Sequence, residues 1–161
     1  MAIEYSTSVP YTGNAKRALA VAQTTLVSQN FQITSTGEYE LSAKGPGINS
    51  TRENPLKAVT EATFVVRNSA IEFKGVLGGA ERMIRFLRIF PLALGGFFLL
   101  LWTVIAITVP IFRHWWIFVI AVAPLTPWLV LGPLIGRSVQ TRTRAAVDAL
   151  LANMVLLGGV D

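Results

Sequence analysis

Two long stretches without a charged side chain dominate the pattern of this chain. The first runs from Ile89 to Phe112 and the second from Trp115 to Gly136, with only Arg113 and His114 between them. About 20 predominantly apolar residues in a helix cross a bilayer core of about 30 Å, so each stretch is long enough for one span. The connection is too short for a folded loop. We therefore predict a transmembrane helical hairpin over residues 80–136, with spans at about 89–112 and 115–136.

Before this region, apolar and polar residues alternate with the period of two that is typical of half-buried strands. An amphipathic helix with small apolar side chains is expected after the first strand, with Thr12 or Asn14 as its N-cap. This order predicts an α+β cytoplasmic domain over residues 1–79, an antiparallel sheet with helix on one face and solvent on the other. The predicted strands are Ile3 to Val9, Phe31 to Ser35, Glu38 to Ala43, Ala62 to Arg67 and Ile71 to Val76.

The last segment, residues 137–161, is predicted to be a cytoplasmic amphipathic helix and tail. It has too few consecutive apolar residues for a third span. Its apolar stripe is expected to pack on the part of the sheet that one short helix leaves uncovered, although the membrane surface and another chain are alternatives. The stripe consists of Val147, Leu150, Leu151, Met154 and Leu157.

The positive charge is concentrated beside the apolar stretches. The net charge is +5, but residues 1–79 hold seven Lys and Arg against six Glu and contribute only +1. Nucleic acid is therefore not an expected partner. Six arginines flank the open end of the hairpin and one lies at its tip, which predicts an integral, multi-pass membrane protein with both termini in the cytoplasm. The first residues lack the pattern of a signal peptide. The predicted membrane-interface anchors are Arg82, Arg85, Arg88, Trp115, Trp116 and Arg137.

Candidate catalytic and metal-binding residues are few. The chain has no cysteine, and its one histidine, His114, lies at the predicted tip of the hairpin. We interpret His114 as part of a water-exposed corner, and whether it ligates a pigment or a metal stays open. Glu38 and Glu40 are interpreted as solvated carboxylates, and Gly45-Pro46-Gly47 lacks the residues that complete a phosphate loop. We expect no cofactor and no enzymatic activity.

Small residues mark helix contacts in the predicted spans. Gly95, Gly96, Gly132 and Gly136 permit close approach of helix backbones, either within the hairpin or with another protein, and a homo-oligomer is compatible with them. The spans contain no ionisable side chain, which is unlike a transporter. The sequence predicts an accessory, assembly or structural subunit of a larger membrane complex that acts through protein contacts. The alternative is a membrane-anchored regulatory or ligand-sensing module with a cytoplasmic binding domain.

Overall fold

The computed structural model describes residues 3–48, 50–109, 119, 123 and 126–159. The chain divides into two compact units. Unit 1 comprises Met1–Met83 together with Ser138–Asp161, and unit 2 comprises Ile84–Arg137. Unit 1 therefore joins the first half of the sequence to the C-terminal segment.

Unit 1 contains a five-stranded antiparallel sheet, as the alternating pattern predicts. The spatial order is β1-β5-β4-β3-β2, so the first strand pairs with the last and the second strand lies at the opposite edge. A shift of register in the β2–β3 pair falls between Ile33 and Ser35. The strands are β1 (Glu4–Pro10), β2 (Gln32–Thr36), β3 (Glu40–Lys44), β4 (Glu61–Arg67) and β5 (Ala70–Val76).

One face of the sheet forms the core because the apolar residues of neighbouring strands are in register. Phe64 lies opposite both Leu41 and Phe73, and the two phenylalanine rings are 5.1 Å apart. All three side chains are fully or almost fully buried. The other face is polar along β1, where Glu4, Ser6 and Ser8 are exposed, so the predicted division into an apolar and a solvated face is confirmed there.

Helix α1 (Ala15–Ser28) connects β1 to β2 and packs on the apolar face. Its N-cap is Asn14, whose side-chain oxygen accepts the backbone N–H of Arg17 at 3.2 Å. Of the two predicted caps, the structure therefore selects Asn14. The buried side of the helix consists of Ala18, Leu19, Ala22 and Leu26. A short 3-10 helix, Pro55–Ala58, lies between β3 and β4.

Two long helices follow, α2 (Gly78–Thr108) and α3 (Thr126–Gly158). α2 is the one helix among the described residues that is long and apolar enough to cross a membrane. Nine of the 22 residues of the second predicted span lie outside the described residues. Its last part, from Thr126, belongs to α3, so the structure contains one long apolar helix rather than a demonstrated two-span hairpin.

The C-terminal part of α3 packs in unit 1, which confirms the predicted docking on the sheet domain. Val147, Leu150, Leu151 and Met154 are buried there. The assignment of Leu157 to the buried stripe is wrong, because its side chain is 62% exposed and the following Gly158 faces α1 instead.

Tyr39 is a second correction, because alternation within the predicted strand Glu38 to Ala43 places it on the same face as Leu41. β3 begins only at Glu40, and the Tyr39 side chain is 54% exposed. Tyr39 therefore lies in the connection before β3, outside the alternation of the strand.

Candidate functional site

More than half of the exposed large apolar side chains of the described residues lie on α2. In its most apolar 18-residue window the mean hydropathy is 2.2 and only 11% of the residues are buried. Exposure of apolar side chains to water is unfavourable. Monomeric soluble proteins therefore rarely expose contiguous apolar patches of this kind. Its exposed large side chains include Phe86, Ile89, Phe90, Leu92, Phe97, Leu99, Leu100, Leu101, Val104 and Ile107.

The arginines that the sequence predicts as interface anchors lie just before this apolar surface. Arg82, Arg85 and Arg88 on α2 are exposed, and so is Arg137 on α3. Successive members on α2 are three residues apart, which places them on one side of the helix. The remaining predicted anchors, Trp115 and Trp116, lie outside the described residues, as do Arg113 and His114 at the predicted tip.

Two of the four predicted packing glycines bring α2 and α3 together inside unit 2. A β-carbon added at Gly132 would lie 3.3 Å from the carbonyl oxygen of Leu87, and one added at Gly136 would lie 3.0 Å from the Ile84 side chain. The pairing of 84 with 136 and of 87 with 132 shows that the helices run antiparallel here. Gly95 is buried, whereas a β-carbon at Gly96 would meet no atom within 4 Å.

Pro91 is a feature of this helix pair that our sequence analysis missed. It lies inside α2 and is buried. Proline has no N–H, so residue 91 cannot donate to the carbonyl of Leu87, the usual acceptor four residues earlier. The same carbonyl faces Gly132. The sequence shows Pro91 as a proline within an apolar stretch. It does not show that Gly132 is its neighbour, because the two residues are far apart in the chain.

Unit 1 has an open groove of about 470 Å³ at one end of the sheet. It lies between the segment that leads into α1, the turn before β3 and the β4–β5 turn, where Asn68 and Ser69 adopt positive φ values of 50° and 55°. This geometry matches the two-residue turns that join tight hairpins. Lys16, Arg67 and Glu38 are the charged residues of the groove, and Tyr39 contributes an exposed ring.

A polar and aromatic contact joins the first strand to the last helix. The hydroxyl of Tyr5 donates to the Asp148 carboxylate at 2.9 Å, and the Arg144 guanidinium lies 5.4 Å from the centre of the Tyr5 ring. Burial, followed by the hydrogen bond with Asp148, raises the pKa of Tyr5 above its ordinary value. Arg144 and Asp148 are about one turn apart on α3, so both can contact the Tyr5 side chain. We call these three residues the Tyr5 contact.

Tyr11 makes a second link between the ends of the domain. Its hydroxyl lies 2.8 Å from the carbonyl oxygens of both Asn14 and Gly158, so one hydroxyl hydrogen serves two acceptors. A β-carbon at Gly158 would lie 2.9 Å from the α-carbon of Ala18. The C-terminal end of α3 is thereby fixed against the start of α1. The sequence offered no signal for either tyrosine contact.

Within the described ranges, no three His, Cys, Asp or Glu side chains converge in a way that would hold a metal ion. Glu38 and Glu40 are both exposed, and only Glu40 lies in β3. They are therefore not a paired set of carboxylates on one strand. Three features of the described residues are candidates for function: an apolar helix with arginines at its start, a helix contact lined by glycines, and an open polar groove.

Comparison of the chain with protein-family models, with curated proteins and with solved structures gives no match.

Proposed function

We propose that this protein is a small integral membrane accessory, assembly or structural subunit that acts through protein contacts within a larger membrane complex. The observation that supports it best is the exposed apolar surface of α2. From Ile89 to Thr108 the helix has 20 residues without a charge, and at about 1.5 Å per residue they extend about 30 Å, the thickness of a bilayer core.

The second span is part of the same proposal. α3 carries uncharged residues from Thr126 to Gly136 and lies against α2 in an antiparallel arrangement through Gly132 and Gly136. An antiparallel partner of an inserted helix returns to the side from which the first helix entered. Six arginines flank the open end of the two predicted spans, against one at the predicted tip, and favour a cytoplasmic location for both termini.

Membrane insertion is tested by extraction of the native membrane fraction with alkaline carbonate. We expect the full chain to stay in the pellet, as integral proteins do, whereas release into the supernatant would refute the proposal. A reporter fused after Asp161 tests the topology, because activity only on the outer side of the membrane would contradict the assignment of the C-terminus.

The role as a subunit is tested by mild detergent extraction followed by mass spectrometry. A stoichiometric protein partner is the expected result. The control is the same extraction from cells that express the Gly132→Glu variant, because the larger, charged side chain cannot keep the close approach of residue 132 to the Leu87 carbonyl. A wild-type chain that purifies alone under these conditions would argue against the subunit role.

A membrane-anchored ligand-sensing module is the second candidate, and the groove of unit 1 favours it. Its volume of about 470 Å³ lies within the usual range for small-molecule sites, which is about 300–1,000 Å³. Lys16 and Arg67 give the groove a net positive charge beside Glu38, so a small anionic metabolite fits it better than a cation. Thermal shift with a panel of small anions tests this candidate, and Arg67→Gln should abolish any shift that the groove causes.

A further inference from the structure

Tyr39 presents an exposed side chain to the groove of unit 1 from a backbone that hydrogen bonds hold in place. The β2–β3 connection is closed by a hydrogen bond of 2.7 Å from the Gly37 N–H to the Glu40 carbonyl, and Tyr39 lies between these two residues. The carbonyl of Tyr39 also accepts the N–H of Val66, which belongs to β4, at 2.8 Å. The position of the ring is therefore tied to the sheet.

The ring of Tyr39 is a surface on which a flat ligand can stack. Within the described ranges, no other aromatic ring contacts it. Offset-stacked aromatic pairs are favourable beyond the apolar area that they bury. A tyrosine side chain has only two torsion angles to fix, so little conformational entropy is lost when a ligand covers it.

The three charged side chains of the groove, two cations and one carboxylate, leave a net charge of +1. Lys16 lies in the first turn of α1, Arg67 ends β4, and Glu38 precedes Tyr39. In the part of the chain that the structure describes, neither cation forms an ion pair with Glu38. A planar guanidinium binds a carboxylate through two parallel hydrogen bonds. One carboxylate balances this net charge, whereas a phosphate monoester would place almost two negative charges beside Glu38.

From this arrangement we infer that the groove binds small aromatic carboxylates, with the carboxylate group at Arg67 and Lys16 and the aromatic ring on Tyr39. The inference rests on the second candidate function, the ligand-sensing module. It goes further by naming the class of ligand that the groove selects. Arg67 recognises the charge and Tyr39 recognises the ring, so substitutions at the two positions have different effects.

The test is a titration of the purified full chain in a non-ionic detergent with three ligands of similar size. Saturation-transfer NMR of the ligand signals measures binding, and empty micelles are the blank. Benzoate has both the charge and the flat ring, cyclohexanecarboxylate has only the charge, and benzamide has only the ring. We expect benzoate to bind at least about threefold more tightly than either of the others. An apolar site without stacking would prefer cyclohexanecarboxylate over benzoate, because the saturated ring has the larger apolar surface.

Variants of the two exposed residues separate the two contacts. Arg67→Gln should weaken the binding of both carboxylates by about tenfold. Tyr39→Leu should weaken benzoate by about three- to tenfold and remove its preference over cyclohexanecarboxylate. Tyr39→Phe keeps the ring and should bind benzoate within about twofold of the wild type. Lys44→Gln is the matched control for charge, because Lys44 is exposed on β3 and does not line the groove.

Four results would overturn the inference. Benzoate binding that is unchanged in both Arg67→Gln and Tyr39→Leu would place the ligand elsewhere. Equal binding of the two carboxylates, with loss of both in Arg67→Gln, would retain the groove as an anion site and reject its selectivity for a ring. Tighter binding of phenyl phosphate than of benzoate would assign the groove to phosphate esters. Absence of benzoate binding would reject the aromatic class, and the panel of small anions then shows separately whether the second candidate function also fails.

Discussion

The carbonyl oxygen of Leu87 faces the backbone of Gly132, so that a β-carbon at Gly132 would lie only 3.3 Å from it. Pro91 removes the N–H that would otherwise bond this carbonyl within α2. Glycine α-carbons at helix interfaces commonly approach carbonyl oxygens as weak C–H donors. The proline in one helix and the glycine in the other thus act on the same atom.

We expect Gly132→Ala to destabilise the α2–α3 pair. The added methyl group must push a backbone carbonyl away by a few tenths of an ångström, and overpacking of this kind typically costs about 1–3 kcal/mol. Gly96→Ala is the matched control, because no atom lies within 4 Å of its added β-carbon. The free energy of unfolding in detergent measures both variants. Equal stability of the two would show that the Gly132 contact does not hold the helices together.

The strands and α1 were predictable from the sequence because their signals are local. Alternation with a period of two places Phe73 and Ile71 on one face whatever the rest of the chain does. The side-chain oxygen of Asn14 caps the helix that begins at the next residue. The Leu87–Gly132 contact was not predictable, because its two residues are far apart in sequence. The Tyr5 contact was not predictable either, because Tyr5 and Asp148 are 143 residues apart and only folding brings them together.

Leu157 shows why a stripe assigned by hydrophobicity alone is wrong at its end. At about 100° per residue, Gly158 returns to within about 20° of the direction of Val147, whereas Leu157 lies about 80° away from it. Gly158 therefore faces Ala18, and Leu157 is exposed to solvent. A pattern of hydrophobicity selects the larger apolar residue and gives no weight to the glycine that the helix contact requires.

This difference gives a direct test of α3 docking. Leu151 is fully buried in unit 1, and Leu151→Ala should lower the free energy of unfolding by about 2–5 kcal/mol. Leu157→Ala is the control on the same helix and should change it by less than about 0.5 kcal/mol. Thermal unfolding of the full chain in detergent compares the two. A similar loss in both variants would mean that α3 buries a different face from the one described.

Gly158→Ala tests the other end of the same contact. The new methyl group would lie 2.9 Å from the α-carbon of Ala18 and 2.8 Å from the Tyr11 hydroxyl, and a backbone atom cannot move aside as a side-chain end does. We expect a loss of about 1–3 kcal/mol in stability. Gly37→Ala is the control, since its nearest neighbour would be an ordinary contact at 3.6 Å. Unchanged stability of Gly158→Ala would show that α1 and α3 do not pack at this point.

The Tyr5 contact predicts a dependence of stability on alkaline pH. Burial and the hydrogen bond with Asp148 raise the pKa of Tyr5 in the folded chain above the unfolded value of about 10. The folded state therefore holds the phenol proton more tightly than the unfolded state does. The resulting stability is fully present below the unfolded pKa and is lost as the pH rises through the folded pKa, because the phenolate is repelled by the Asp148 carboxylate.

We expect Tyr5→Phe to be less stable than the wild type at neutral pH, because it loses the hydrogen bond to Asp148. Such a bond contributes about 0.5–1.5 kcal/mol to the free energy of unfolding, or somewhat more when the acceptor is charged. The difference should shrink above about pH 10, where the wild-type tyrosine ionises and the variant has nothing to lose. Tyr39→Phe is the control for loss of a tyrosine hydroxyl, because that side chain is 54% exposed. Melting temperatures measured across this pH range decide the point: a constant difference between Tyr5→Phe and the wild type would mean that ionisation of Tyr5 does not weaken the link between β1 and α3.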